Sequence, residues 1–384
     1  MKNLQRHFLL DQEITFLNHG SFGAVPREVF RNYQFWQREL ERQPVKFLGR
    51  RFTDLMLDAR SALAKYVHAE PDDVVFTPNV SFSINIVARS LDLGEGDEVL
   101  STDHEYGACD RTWRFLSGEK RFKYINQPIP TSFSSSRDFM DALWQGITSR
   151  TRAIFLSHIT SPTASIFPVA EVCRRARREG ILTIVDGAHA PGQIPVDLKV
   201  IGADFYGGNL HKWLCAPKGA GFLYAHPSSR HLLKPLIVSW GYESESPSKS
   251  TLVDYHEWTG TRDIAAYLAV PAAIKFLADH DWDTIRQECH QLACDALKGI
   301  SRITGLSPLN PDESSFAQFV SIPLPGTIDI KVFKEYLYDR FRIEAPLIEW
   351  NGRKLLRVSV QGYNTQRDIN KLIQAMDSLL QPVG

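Results

Sequence analysis

Short apolar runs alternate with helix-patterned stretches through the first 225 residues, and this alternation limits the fold more than any other feature of the chain. VVFT (74–77) is followed by helix-like SINIVARSL, then DEVLST (97–102), AIFLS (153–157), helix-like VAEVCRRARREG, ILTIV (181–185) and ADFYGG (203–208). Apolar runs this short, separated by helices, read as strands buried on both faces in parallel β-α-β units. GAGFLYA (219–225) reads as an antiparallel neighbour. The expected fold is therefore α/β, with one mixed, mostly parallel seven-stranded sheet. Seven is taken as the usual size of such a sheet, since only six runs can be named.

From about Pro227 to Asp254 the composition shifts to Ser, Pro, Gly and Glu, which reads as a surface loop or lid. Helical patterns at 262–279 and 281–300 come next. They precede strand-like FAQFVSIPL, helical IDIKVFKEYLYDRF, strand-like KLLRVSVQ and an amphipathic helix from Thr365 to about Leu380. Helices packed on a small sheet make a smaller α+β C-terminal domain. The expected division is 21–280 for the large domain and 281–384 for the small one, with residues 1–20 associated with the latter.

Lys+Arg and Asp+Glu both number 44, so the chain carries no formal net charge, and neither a nucleic-acid nor an anionic-membrane surface is signalled. The longest apolar stretch, Ile264 to Ile274, contains Pro271 and is well short of the roughly 20 residues of a spanning helix. Five cysteines without a C-x-x-C disfavour a disulfide framework. The opening MKNLQRHFLLDQE lacks a signal-peptide pattern. A reducing cytoplasm is the expected location.

Open α/β sheets bind ligands beyond the carboxyl ends of their strands. Here those ends carry Asn79-Val80-Ser81, His104-Glu105-Tyr106, His158, Asp186 to His189, and Asn209 to Lys212. Asp186 follows ILTIV, four of whose five residues are apolar, and a buried carboxylate needs a cationic or hydrogen-bonding partner. A helix N-cap or a structural ion pair would satisfy it equally well. Lys212, set between His211 and Trp213, is poorly placed for a solvated charge, and a desolvated lysine becomes a Schiff-base nucleophile. A carboxylate for a pyridinium nitrogen and a lysine one strand away are what pyridoxal 5′-phosphate requires. Asn79-Val80-Ser81 would supply a helix N-terminus for its phosphate, or simply an ordinary cap. Tyr106 would stack on the ring, or pack in the core. His189 would touch the phenolic oxygen, or be an ordinary satisfied histidine. A rival reading is a metal-dependent hydrolase using His104, Glu105, Asp186, His189 and His211, although no H-E-x-x-H or H-x-x-E-H spacing occurs. A nucleotide-binding oxidoreductase would need a glycine-rich phosphate loop, and none is present.

VDGAHAPGQIPVDLKVIGADFYGGNLHKWLCAPKGAGFLY resembles the cofactor-binding stretch of the class V aminotransferase family, fold-type I pyridoxal-phosphate enzymes. With FLNHGSFGAVP, TPNVSFSIN, DHEYGAC, HITSPTASIFPV, TGTRD and RIEAPLIEWNGRKLLRVSVQGYN, the chain is most similar to the isopenicillin-N-epimerase-like branch over nearly its whole length. The resemblance implies Lys212 as the covalent cofactor lysine, Asp186 as the pyridinium partner and Tyr106 as the stacked residue. It implies Val80 (through its backbone) and Ser81 on the phosphate loop beside Asn79, with Asn209 and His211 on the phosphate side and His189 near the phenolic oxygen. Thr261 would reach the phosphate of a neighbouring subunit, making a homodimer with shared active sites. Arg357 would grip a substrate α-carboxylate, and His19 would border the substrate pocket.

Cysteine desulfurases of this family carry a nucleophilic cysteine shortly before that arginine, and EAPLIEWNGRKLL has none. Cys215 reads instead as a buried packing thiol. The expected enzyme takes a small amino-acid-type substrate and acts at its Cα. Epimerisation or racemisation is the leading outcome, with C–S lysis and transamination as alternatives, and neither nucleic acid nor membrane is an expected partner.

Overall fold

In the computed structural model, which describes residues 4–133 and 135–380, seven strands form the central sheet. They are β1 (Val74–Thr77), β2 (Glu98–Thr102), β3 (Lys123–Gln127), β4 (Thr151–Ser157), β5 (Leu182–Gly187), β6 (Phe205–Asn209) and β7 (Gly221–Ala225). Their spatial order is β1-β7-β6-β5-β4-β2-β3. Only β7 runs against its neighbours, and every other pairing is parallel. The strand that sequence reading did not name is β3. It lies at the sheet edge and its residues KYINQ are exposed or half-buried, so it lacks the continuous apolar run of its neighbours.

Both faces of the sheet are covered. Ala153 and Phe155 of β4 pack into the cluster formed with Ile84, Val87 and Trp113, whereas Ile154 and Leu156 point into the opposite one with Phe139, Val172 and Phe222. Alternate residues thus enter different cores, which is why the strand reads as unbroken apolar sequence. Helices α1 (Val80–Ser90) and α2 (Gly107–Lys120) start directly beyond β1 and β2.

A second, antiparallel sheet has the order β9-β10-β8, from β8 (Phe319–Leu324), β9 (Leu347–Trp350) and β10 (Arg353–Ser359). Helix α3 (Trp282–Thr304) and helix α4 (Gln366–Leu380) contribute Leu292, Ala296, Ile369 and Met376 to the apolar core beside it. The N-terminal segment joins this end of the molecule. Thr15–Phe16 pairs in parallel with Ile343–Glu344, and the Ser359 N–H donates to the Leu17 carbonyl at 2.9 Å.

Two sequence expectations are corrected. The 227–254 stretch is not loop to its end: Ser250 caps a helix over Thr251–His256 that buries Leu252, Val253 and His256. The helical pattern at 262–279 divides at Ala269, just before Pro271, into Ala265–Leu268 and Val270–Asp279. Among the described residues, no helix is long and apolar enough to cross a membrane.

Candidate active site

Asp186 stands one residue before the end of β5, in register with Ser157 of β4, and is 2% exposed. Its Oδ1 accepts from the Ala188 N–H at 2.9 Å and its Oδ2 from the Cys109 thiol at 3.4 Å. It caps no helix and, among the described residues, forms no salt bridge, so neither structural explanation accounts for it. Burial pushes its pKa up, opposed by the Ala188 N–H, the Lys212 charge and the thiol. A carboxylate held only by neutral donors fits a cationic ring N–H. Sequence reading missed Cys109, whose signal was its place in the first turn of the helix leaving a strand end.

Lys212 follows β6 in a tight turn. Its carbonyl accepts from the Cys215 N–H at 3.0 Å and from Nε2 of His19 at 3.0 Å, and Cys215 adopts a left-handed φ of 61° to close the turn. Gly23 presses on the same segment: with φ +69°, any Cβ there would lie 2.0 Å from the His211 carbonyl oxygen. The Lys212 Nζ lies 3.1 Å from Nε2 of His189, and the Trp213 indole N–H donates to Nδ1 of that histidine at 3.2 Å. Burial first, then the Arg357 charge, lowers the lysine to about 8, with Asp186 opposing. A group so placed is a nucleophilic amine near neutral pH.

His19 lies beneath the lysine turn. Its ring is fully buried, with Nδ1 3.0 Å from the Tyr363 hydroxyl, and burial lowers it to about 3. Its bond to the Lys212 carbonyl braces the lysine turn.

The N-terminus of α1, where a phosphate is expected, is partly engaged by side chains. Asn79 caps α1 by accepting from the Phe82 N–H at 3.0 Å, and Oδ1 of Asn209 accepts from the Val80 N–H at 3.0 Å. The Ser83 N–H donates to the Asn79 carbonyl, which leaves Ser81 as the first-turn amide without a partner among the described residues. The Val80 backbone is therefore already engaged by Asn209, and the Ser81 amide and hydroxyl are what this helix end offers to an anion. His211 bonds the Ala220 carbonyl through Nδ1 at 3.0 Å.

Arg357, near the end of β10, is 7% exposed and has no carboxylate partner among the described residues. Nη1 donates to the carbonyl and hydroxyl of Ser161, both at 3.0 Å, Nη2 donates to the Ser21 hydroxyl at 2.9 Å, and the buried Nε has no partner among the described residues. Tyr106 is 47% exposed at the start of α2, so it is not a core residue. Thr261 is exposed in a loop tied down by Arg262, which donates to the Glu257 carbonyl at 2.6 Å.

The metal-site reading loses its ligands. His104 is held by the Thr163 hydroxyl and the Ile129 carbonyl, both at 2.8 Å, and the Glu105 oxygens lie 2.6 Å from the Thr102 and Ser157 hydroxyls. Among the described residues, no three His, Cys, Asp or Glu side chains converge on a point suited to a metal.

The model of the family described as aminotransferase class-V matches residues 24–372. The chain belongs to the class V aminotransferase family. It is 34% identical to an isopenicillin N epimerase of Amycolatopsis lactamdurans, covering 98% of both chains. It is 35% identical to the isopenicillin N epimerase of Streptomyces clavuligerus, covering 97% of this chain and 96% of that one. The solved structure of the cystine C–S lyase C-DES superposes with a TM-score of 0.86 over 95% of this chain and 98% of that one at 21% identity, a likeness of fold. The protein is a fold-type I, pyridoxal-phosphate-dependent enzyme. Its unpaired Asp186 carboxylate, its depressed Lys212 amine and the open amide of Ser81 suit the three ends of that cofactor.

Proposed function

We propose that this class V enzyme epimerises an amino acid, or a compound bearing an amino-acid terminus, at Cα. The observation that carries the reading is the buried Arg357, whose Nε is without a partner among the described residues, in a crevice that also holds the Lys212 amine. A buried guanidinium that lacks an anion calls for one, and an α-carboxylate would bind it in charge-assisted fashion. The nearness of isopenicillin N epimerases in sequence supports inversion as the outcome.

Pyridoxal phosphate supplies, when bound, an electron sink for negative charge at Cα. Lys212 would hold it covalently and, once displaced by the substrate amine, take the Cα proton. Asp186 would keep the ring nitrogen protonated, and Tyr106 would cover a ring face. Ser81, Asn209 and His211 would hold the phosphate together with Thr261 of the partner subunit. That arrangement needs a homodimer, and the exposed apolar run containing Val238 (68% exposed) and Trp240 (85% exposed) supports one. Residues 21–280 would then carry the cofactor, with 281–384 and the N-terminal segment carrying the carboxylate grip.

The absence of cysteine between Arg342 and Arg357 weighs against persulfide chemistry, and five buried, unbridged cysteines fit a cytoplasmic enzyme. The test is product analysis with a panel of L-amino acids and cysteine derivatives. D-isomer is the expected product, whereas pyruvate with sulfide, or a keto acid, would assign a lyase or an aminotransferase.

A further inference from the structure

His189 is held between two nitrogens that dictate where its proton sits. The indole N–H of Trp213 can only donate, and it meets Nδ1 at 3.2 Å, so Nδ1 must present its lone pair. A neutral imidazole with a bare Nδ1 carries its proton on Nε2, and Nε2 is the atom 3.1 Å from the Lys212 Nζ. An N–H pointing at an amine is a hydrogen bond only if the amine offers a lone pair. An ammonium at the same place would set donor against donor. The imidazolium is opposed too, because its Nδ1–H would face the indole N–H.

The ring cannot turn away to escape these constraints. It stacks on Phe319 (centroids 4.9 Å apart, planes at 29°), on which Trp213 also stacks (5.7 Å, 26°). The Gln193 side chain pins the His189 carbonyl at 2.7 Å. Both His189 and Trp213 are buried, so an unmatched donor or acceptor between them is costly.

We propose that Trp213 is a positioning residue that locks His189 as the Nε2–H tautomer, thereby holding Lys212 as a free amine. His189 becomes a fixed donor toward whichever acceptor lies at Nε2, the lysine lone pair or the phenolic oxygen of the cofactor. The proposal rests on Lys212 being the cofactor lysine only for its consequence. That consequence is that His189 is unable to serve as the second acid or base of an epimerisation.

Other groups act on the same pair. Arg357 favours the free amine of Lys212, while Asp186 and Cys109 favour its ammonium; His189 faces Lys212, Arg357 and His211. All of these remain in a Trp213 variant, so comparison with the native chain isolates the indole.

The test uses the full-length protein stripped of cofactor, with Lys212 reductively methylated by formaldehyde and cyanoborohydride across a pH series and read by peptide mass spectrometry. Trp213→Phe releases Nδ1 to take the proton, and Nε2 can then accept from an ammonium. The labelling midpoint should rise by about one pH unit, slowing reaction near neutrality about tenfold. In a His189→Gln background, Trp213→Phe should move nothing. An unmoved midpoint in the single variant, or a shift that persists without His189, overturns the proposal. Should Trp213→Phe fail to fold, nitrogen-15 NMR of histidine-labelled native apoprotein decides: His189 must show a bare Nδ1 and a protonated Nε2 across about pH 6–9, and the opposite tautomer or an imidazolium refutes the lock. Neither measurement involves turnover, so a wrong reaction class leaves the result intact.

Discussion

The Cys109 thiol donates to Oδ2 of Asp186 at 3.4 Å while the Ala188 N–H holds Oδ1, so two neutral donors fix the deepest carboxylate of the site and neither neutralises it. The geometry leaves the charge of Asp186 available to a ring nitrogen. Asp186→Ala should yield a folded protein that binds cofactor weakly and loses turnover by roughly a thousandfold or more. Near-normal kcat in that variant would remove Asp186 from its role.

Glu105 sets a pH dependence of stability. Burial pushes its carboxyl up to about 8 from an ordinary 4.5, with the Ser157 and Thr102 hydroxyls opposing and Asp186 adding to the rise. Over that interval the folded chain holds a proton that the unfolded chain has lost. Its contribution is therefore full below the unfolded value and disappears as pH rises through about 8. Glu105→Gln, which resembles the neutral acid, should flatten the fall in Tm of the apoprotein between about pH 6 and 9 by several degrees. Parallel Tm curves for the two proteins would contradict this.

Strands β4 and β5 were legible because both of their faces are buried, and the strand-end residues Asp186 and Lys212 followed from them. Edge strand β3 was not, since a half-covered strand carries no apolar run. Family motifs placed Val80, but the side chain that occupies its amide, Asn209, comes from β6 and is adjacent only in the fold. The burial of His19 has a related origin. The pairing of Thr15–Phe16 with Ile343–Glu344, distant in sequence, leads the chain beneath the lysine turn. The Trp213–His189 hydrogen bond spans two strand ends and left no local signal at all.

Arg357→Ala should retain the cofactor absorbance but weaken binding of α-amino acids by about 2–5 kcal/mol, as expected when one partner of a buried charge pair is lost. Primary amines lacking a carboxylate should react as before. Unchanged KM for α-amino acids would show that the guanidinium binds something else.

If Thr261 completes the site of a second subunit, an inactive Lys212→Ala protein mixed with an inactive Thr261 variant should regain partial activity, because one of the two sites in the mixed dimer is intact. Mass spectrometry must confirm that subunits exchanged. Exchange without recovered activity contradicts the shared site.

The most direct measurement is borohydride reduction of the holoenzyme followed by peptide mass spectrometry. The reduced cofactor adduct is expected on Lys212, together with loss of the visible absorbance. An adduct on any other lysine, or none with cofactor in excess, would contradict the assignment of this crevice as the active site.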